Sequence, residues 1–474
     1  MFEKISDFQI EMNNRIFVNR SLNLRSIKVA GFDMDYTLVL YLENELEALA
    51  FKHAVEHLIH QNGYPAEIRE DLIFSTDKII RGLVIDKKLG NLVKINRFGY
   101  IKAALHGEKF LSRDDQKFYY SNEIVTFKET RYEMVHTMFS LASSSLFCQL
   151  VDRPGLGKTY EILFEEIQNS LDSIHRNGVL KTEIVKTPEK YVILDEDYAR
   201  TLQMLKNSGK KLLLITNSDW PFTQAMMSYS YDRFMPSGTT WRDLFDLVIV
   251  DAAKPGFFST LSKFFEVMPE TGYLKNVRDP LKIGKIYQGG NSAAIEKVFQ
   301  VSSGEILYVG DHIYSDVYQS KKVNQWRTML VITELEDELI AAEKGRGLLN
   351  QIRHNMEEKE KLELVLDQLN KKKQGVKPLI RELDQMDANA ATLKFTEIKN
   401  RIAEIDSVIG AVIQKYDAQF NPHWGELLWA GNDKSHFGMS LERFACVYAS
   451  KISKLLFYSS AHYFRPPMKG SPHW

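Results

Sequence analysis

The chain has 474 residues, 44% apolar and 26% charged, with a formal net charge of -1. That length supports a large core and more than one domain, and the even charge balance gives no electrostatic reason to expect nucleic acid or a membrane surface as a partner. The two cysteines, Cys148 and Cys446, build neither a disulfide framework nor a CxxC metal site, which points to a reducing compartment.

The N-terminal stretch MFEKISDFQIEMNN carries acids where a signal peptide carries its apolar segment. No apolar run approaches the roughly 18 residues of a membrane span. The expectation is a soluble, cytoplasmic protein. The first strand signal is IKVAGF, Ile27 to Phe32, followed at once by Asp33 and Asp35 in DMDYT. Carboxylates that close to a core strand need compensation, because an uncompensated buried charge is costly. Residues 42–190 hold helical patterns and aromatics that a sheet does not require, and they read as an inserted cap domain. Within them, RPGLGKTY (Arg153 to Tyr160) imitates a phosphate-binding P-loop, but Asp152 stands where that loop needs glycine. Tyr160 to Gly178 carries an apolar helical stripe at Leu163, Ile167, Leu171 and Ile174, with Gln168, Asp172 and His175 one step round the helix. From spacing alone the second stripe reads as a solvated face.

Three further apolar runs follow, each ending in a polar cluster. They are KLLLI (Lys211 to Ile215) before TNSD, DLVIV (Asp246 to Val250) before DAAKP, and EILYV (Glu305 to Val309) before GDH. Helical segments separate them, Glu196 to Gly209 ending on a glycine stop and Asn291 to Gln300 opening on an Asn-Ser cap. Strand and helix in alternation predict an α/β fold with a doubly wound parallel sheet, whose ligands bind beyond the carboxyl ends of the strands. The core is expected over residues 1–41 and 191–340. A helical C-terminal extension is expected over 341–474, where long amphipathic patterns are divided at Gly375 and Pro378.

Convergence of the strand ends would gather Asp33, Asp35, Thr216, Asn217, Lys254 and Asp311 around one crevice. Carboxylates so placed repel one another unless a divalent cation lies among them, and hard oxygen ligands with room for water and phosphate suit Mg²⁺. Lys254 and the Thr216 hydroxyl suit the other oxygens of a phosphoryl group. Asp33 can attack phosphorus in line. An anion meeting a phosphate dianion at about 3.5 Å faces repulsion of about 9 kcal/mol at an effective dielectric of about 20, which Mg²⁺ and Lys254 would offset. Asp35 suits the general acid for the leaving oxygen and then the base for the hydrolytic water.

DMDYT at Asp33 to Thr37, LLLITNS at Thr216, DAAKP at Lys254 and YVGDHIYSD at Asp311 and Asp316 together resemble the four motifs of the haloacid dehalogenase superfamily of phosphotransferases. More closely, VNRSLNLRSIKVAGFDMDYTL, LITNSDW, VDAAKP and YVGDHIYSDVYQSKKVNQWRT resemble the cytosolic purine 5′-nucleotidase family, from about Val18 to about Leu335. The resemblance implies a haloacid-dehalogenase-like core with Asp33 as nucleophile and Asp35 as acid and base. It implies Mg²⁺ held by Asp33, the Asp35 carbonyl and Asp311. Thr216, Asn217, Ser218 and Lys254 would hold phosphate, with Asp316 behind them. It further implies that Phe139, Asp172, His175 and Lys181 read a purine base, with Gln168 where the family usually has arginine. An Asp acceptor beside a cationic donor matches a 6-oxopurine, so the implied substrates are IMP and GMP before AMP. A homo-oligomer (dimer or tetramer), transfer of the phosphoryl group to another nucleoside, and a purine nucleotide effector near Tyr314 and Lys322 are implied as well, though the family's other effector positions have no clear match, for instance at Thr126 and His136. The competing readings are a phosphatase for another small phosphomonoester, and a non-enzymatic assembly protein that keeps the phosphatase fold.

Overall fold

The computed structural model describes residues 10–128, 130–277 and 281–467. The acidic stretch up to Gln9 lies outside them. The main sheet has ten strands. In chain order they are β1 (Phe17–Val18), β2 (Val29–Phe32), β3 (Lys211–Ile215), β4 (Leu247–Val250), β5 (Phe264–Val267), β6 (Leu274–Asn276), β7 (Ile286–Gly289), β8 (Ile306–Gly310), β9 (Arg327–Val331) and β10 (Val447–Ala449). They lie side by side as β1-β10-β9-β8-β2-β3-β4-β7-β5-β6. Every pair from β10 across to β7 is parallel, and antiparallel strands flank that block on both sides.

The central strands are apolar throughout because both faces are covered. Val29, Leu213, Ile249 and Ile306 are all fully buried, with Trp326 and Ile295 packed in the same cluster. β2 lies between β3 and β8, with Phe32 opposite Leu214 on one side and Val309 on the other. Asp33, Thr216 and Asp311 each follow directly on the carboxyl ends of these adjacent strands, and Lys254 stands four residues beyond β4. The α/β class with a doubly wound sheet is therefore borne out.

The insertion opens with α1 (Glu43–Asn62) and includes α2 (Leu141–Val151), α3 (Tyr160–Arg176) and α4 (Val179–Lys186). It also contains an antiparallel five-stranded sheet between Val84 and Met134, which the helical patterns did not announce. After β3 the chain enters α5 (Trp220–Tyr231), capped by the Asp219 carboxylate, which accepts the Phe222 N–H at 3.0 Å.

The C-terminal part divides differently from the helical extension expected over 341–474. Asp337–Glu426 forms a compact unit of its own, built on α6 (Leu335–Lys373) and α7 (Ala388–Asp417). Leu369, Leu383, Ala391 and Ile398 form its buried cluster, and Lys359–Asp406 and Arg401–Glu358 ion pairs dress its surface. From Leu427 the chain returns to the first unit through α8 (His436–Phe444) and β10. The apolar run around Val447 supplies a strand that pairs with β9, so burial in the sheet prevails over continued helix. Among the described residues no helix is long and apolar enough to cross a membrane.

One carboxyl inside the first unit has no counter-charge in contact. Glu47, on α1, is 1% exposed and accepts the Ala142 N–H at 3.1 Å through Oε2. Among the described residues its Oε1 has no partner in good hydrogen-bond geometry, and the Tyr36 hydroxyl beside it only partly offsets the burial. Burial pushes its pKa up to about 8, against the opposing Ala142 bond. The folded protein thus keeps a proton that the unfolded chain releases near pH 4.5. Stability from this group is complete below that pH and is lost as pH rises towards 8. Urea denaturation of wild type and Glu47→Gln across pH 5–8 is expected to show wild type losing about 1.4 kcal/mol per pH unit relative to the variant.

Candidate active site

The Asp33 N–H donates to the Val309 carbonyl at 2.9 Å, holding the first residue after β2 against β8. The chain then turns tightly. The Leu38 and Val39 N–H groups both donate to the Met34 carbonyl, and Tyr36 adopts a left-handed φ of 54°. This turn brings Asp33 and Asp35 to the wall of one cavity of about 590 Å³. Asp33 Oδ1 accepts the Met34 N–H at 2.8 Å and pairs with Lys254 Nζ at 2.8 Å. Asp35 is held on both oxygens, by the Tyr41 hydroxyl at 2.5 Å and the Ser218 hydroxyl at 2.8 Å.

Lys254 is the centre of the floor. Its Nζ reaches Asp33, Asp316 at 2.8 Å and the Tyr308 hydroxyl at 3.1 Å. Its backbone is fixed by Asn217, whose Oδ1 accepts the Lys254 N–H at 2.6 Å while Nδ2 donates back to the Lys254 carbonyl at 3.0 Å. That reciprocal pair joins the loop after β3 to the loop after β4. Thr216 is buried, with Oγ1 accepting the Ser218 N–H at 3.1 Å, and it lies under the cavity wall. Asp316 is also beneath the wall, accepting the His312 N–H through Oδ2 at 3.2 Å. Asp311 lines the cavity, and its buried Oδ2 has no hydrogen-bond partner among the described residues.

Burial raises the pKa of Asp33 to about 6, with Asp316 adding to the rise and Lys254 opposing it. Burial, Asp316 and Asp33 push Asp311 far above the carboxylate range. Burial and Asp33 raise Asp35 as well, against its two hydroxyl donors. Burial disfavours a charged Lys254, but Asp316 and Asp33 outweigh it and hold the ammonium protonated. Asp33, Asp311 and Asp316 each offer an oxygen within 4.8 Å of the others, the one such cluster among the described residues. Three carboxylates facing one lysine leave an excess of negative charge. An orphaned buried oxygen within an all-oxygen set suits a hard divalent cation.

Phe139, His175, Arg176 and Lys181, all from the stretch between β2 and β3, line the same cavity. The Phe139 ring stands edge-on to His175 at 6.0 Å and to Tyr36 at 4.9 Å. Lys181 pairs with Asp219 at 2.6 Å. The structure does not bring two expected base readers into this cavity. Asp172 is exposed, and Gln168 lines a separate cavity of about 340 Å³ with His136 and Ser144. Tyr314 stacks on Tyr318 at 5.3 Å and lies 6.0 Å from His136, and Lys322 bonds the Tyr318 hydroxyl. In the P-loop imitation, Lys158 is taken up by Glu166 at 2.7 Å. Sequence reasoning missed Tyr41, Arg176 and Asp219. Asp219 carried a readable signal, since Asp before Trp-Pro is a helix N-cap followed by proline in the first turn.

A model of the 5′ nucleotidase family matches residues 16–474. The 5′-nucleotidase domain-containing protein 2 of Rattus norvegicus is 28% identical over 468 residues, covering 95% of this chain and 78% of the rat protein. Among solved structures, a HAD phosphatase from Thermococcus onnurineus is similar at 18% identity and a TM-score of 0.25, over 65% of this chain and 87% of that one. A HAD-superfamily hydrolase from Geobacter sulfurreducens PCA is similar at 14% identity and a TM-score of 0.27, over 66% and 90%.

The floor tolerates no extra atom at Gly310, where a Cβ would lie 2.4 Å from Asp316 Oδ2. Gly310→Ala is expected to cost about 1–3 kcal/mol, read as a lower midpoint in denaturant. Gly304→Ala, with nothing within 4 Å of the added carbon, is expected to leave the midpoint unchanged.

Proposed function

The chain belongs to the 5′ nucleotidase family, and from that premise we propose that it is a Mg²⁺-dependent hydrolase of purine nucleoside 5′-monophosphates, taking IMP and GMP before AMP. The membership carries the coarser statement, a hydrolase of the 5′-nucleotidase class. The observation that supports metal-dependent phosphoryl chemistry most is Asp33 paired to Lys254 at 2.8 Å, with an Asp311 oxygen that has no hydrogen-bond partner among the described residues.

In this reading the Asp33 carboxylate attacks phosphorus, forming an oxygen–phosphorus bond as the ester bond to the 5′-oxygen breaks. Asp35 gives its proton to that leaving oxygen, and burial favours the protonated form it must start from. Asp35 then takes a proton from the water that attacks phosphorus, releasing phosphate and restoring Asp33. Lys254, Asn217 and Ser218 orient the phosphoryl oxygens, Thr216, expected among them, holds the Ser218 N–H from beneath, and Asp316 holds Lys254 in place. Mg²⁺, held by Asp33, Asp311 and the Asp35 carbonyl, would neutralise phosphoryl charge. A nucleoside hydroxyl in place of water turns the same second step into phosphotransfer.

Phe139 and His175 present ring surface for a purine, and Lys181 supplies the cationic donor for a 6-oxo group, without the expected help of Asp172 and Gln168, which do not line this cavity. The proposal extends to a cytoplasmic homo-oligomer, dimer or tetramer, and to a purine nucleotide effector at Tyr314 and Lys322. A second reading, a phosphatase for another small phosphomonoester, is favoured by the position of Asp172 and Gln168 outside the cavity.

Phosphate release from IMP, GMP and AMP with Mg²⁺, and again with EDTA, tests the proposal. Turnover is expected on IMP and GMP, weaker on AMP, and abolished by EDTA. Asp35→Asn is expected to lose about 10²–10⁴ in rate, and Asp33→Asn to lose turnover while its circular dichroism stays that of wild type. Equal rates on all three nucleotides remove base reading. Turnover by Asp33→Asn removes the nucleophile. Sedimentation of a chain lacking residues 337–426 is expected to show a smaller oligomer, and an unchanged one counts against that unit as the subunit interface.

A further inference from the structure

We propose that Arg81, contributed by the inserted part of the chain, is a positioning residue that fixes Asp311 for a divalent cation by clamping its main chain. The inference rests on the metal reading above and adds to it a residue remote from every motif. Arg81 has a side chain only 1% exposed, so its charge needs full compensation. Glu334 supplies it in bidentate form, accepting from Nε at 3.0 Å and from Nη2 at 2.6 Å. The remaining arm, Nη1, donates to the Asp311 carbonyl at 2.9 Å. The guanidinium also lies 5.3 Å from the centre of the Phe437 ring.

The approach is rigid at its source. Gly82 has a φ of 89°, and a Cβ there would stand 2.7 Å from the Phe437 Cβ, so the backbone beside Arg81 is pressed against α8. The Gly82 N–H donates to the Val135 carbonyl at 2.8 Å, tying the same backbone to the residue that follows the strand Tyr132–Met134.

The target is rigid too. The His312 N–H, on the other edge of the peptide unit whose carbonyl Arg81 binds, donates to Asp316 Oδ2 at 3.2 Å. One peptide plane is therefore held on both edges, and the direction in which Asp311 leaves the chain is set. Arg81 binds the carbonyl and leaves the carboxylate alone, so Oδ2 stays without a protein partner. An arginine on the carboxylate itself would compete with a cation. An arginine on the main chain prepares the ligand without consuming it.

Partners of this kind behind a metal ligand are typically worth about 10–100-fold in affinity. The probe is Mn²⁺, titrated into the metal-stripped full chain and followed by electron paramagnetic resonance of the free ion. Arg81→Lys keeps the charge and loses the fork, and its Mn²⁺ dissociation constant is expected to rise about tenfold or more. Glu334→Gln, at a partly exposed position, is expected to show a rise of the same order, and it decides the matter if Arg81→Lys does not fold. A folded variant of either kind that binds Mn²⁺ as wild type does, whatever its melting temperature, overturns the proposal. Asp311→Asn separates the two layers. Undiminished Mn²⁺ binding in that variant ends the metal reading itself, whereas its loss beside unchanged affinity in the other two ends only the role of Arg81.

Discussion

The buried ammonium of Lys254 is the constraint around which the rest of the first unit is arranged. It is 2% exposed and touches two carboxylates at 2.8 Å each. Without it, Asp33, Asp311 and Asp316 would crowd like charges in a region of low polarisability, where each charge already costs several kcal/mol to desolvate. With it, Asp33 and Asp316 are both held at 2.8 Å, and burial still keeps the Asp33 pKa near 6 against the pull of Lys254. Full compensation by a second lysine would make a quiet structural ion pair. In the proposed reading, that shortfall is what a divalent cation would offset, and the cation in turn would admit a phosphoryl group.

Sheet topology then does the gathering. β2 lies between β3 and β8, so the residues that follow these strands emerge side by side whatever their separation in the chain. Backbone bonds set the fine placement. The Asn217–Lys254 exchange joins two loops at 2.6 and 3.0 Å, and Gly310 leaves Asp316 the volume a methyl would take. A lysine presented on a mobile loop would lose much of its effect, because electrostatic stabilisation depends on groups that need not reorganise.

The central strands and the residues at their ends were legible because each signal is local. A short apolar run buried on both faces, then a polar cluster, is a pattern within about ten residues. What escaped is non-local. Arg81 meets Asp311 across 230 positions, and nothing in RGLV marks an arginine that will be buried. β10 was hidden for a related reason, since ACVYAS fits helix or strand and only pairing with β9 decides. The cap sheet was obscured by polar residues inside it. Asn91 and Lys94 are both buried within the strand Asn91–Ile95, which spoils the alternation that marks a half-buried strand. Asp172 illustrates the opposite limit, a residue whose helical stripe was read correctly and whose spacing alone favoured the solvated face it occupies.

Lys181 brings these threads together at the mouth of the cavity. It belongs to α4, and Asp219 caps α5 immediately after the Thr216–Ser218 loop, so their 2.6 Å pair joins the stretch between β2 and β3 to the loop after β3. A ligand that needs the Lys181 ammonium must draw it from Asp219. Lys181 and Asp219 keep 25% and 38% of their side-chain surface exposed, and ion pairs of that kind are worth about 0–1 kcal/mol. Asp219 does not lose its place when released, because its Oδ1 still caps α5 through the Phe222 N–H. The cost of the exchange is therefore small beside the gain of a charge-assisted hydrogen bond to a ligand oxygen in a cavity lined by Phe139 and Phe222. In the proposed reading the Lys181–Asp219 pair is thus a resting position for the lysine and not an obstacle to its use.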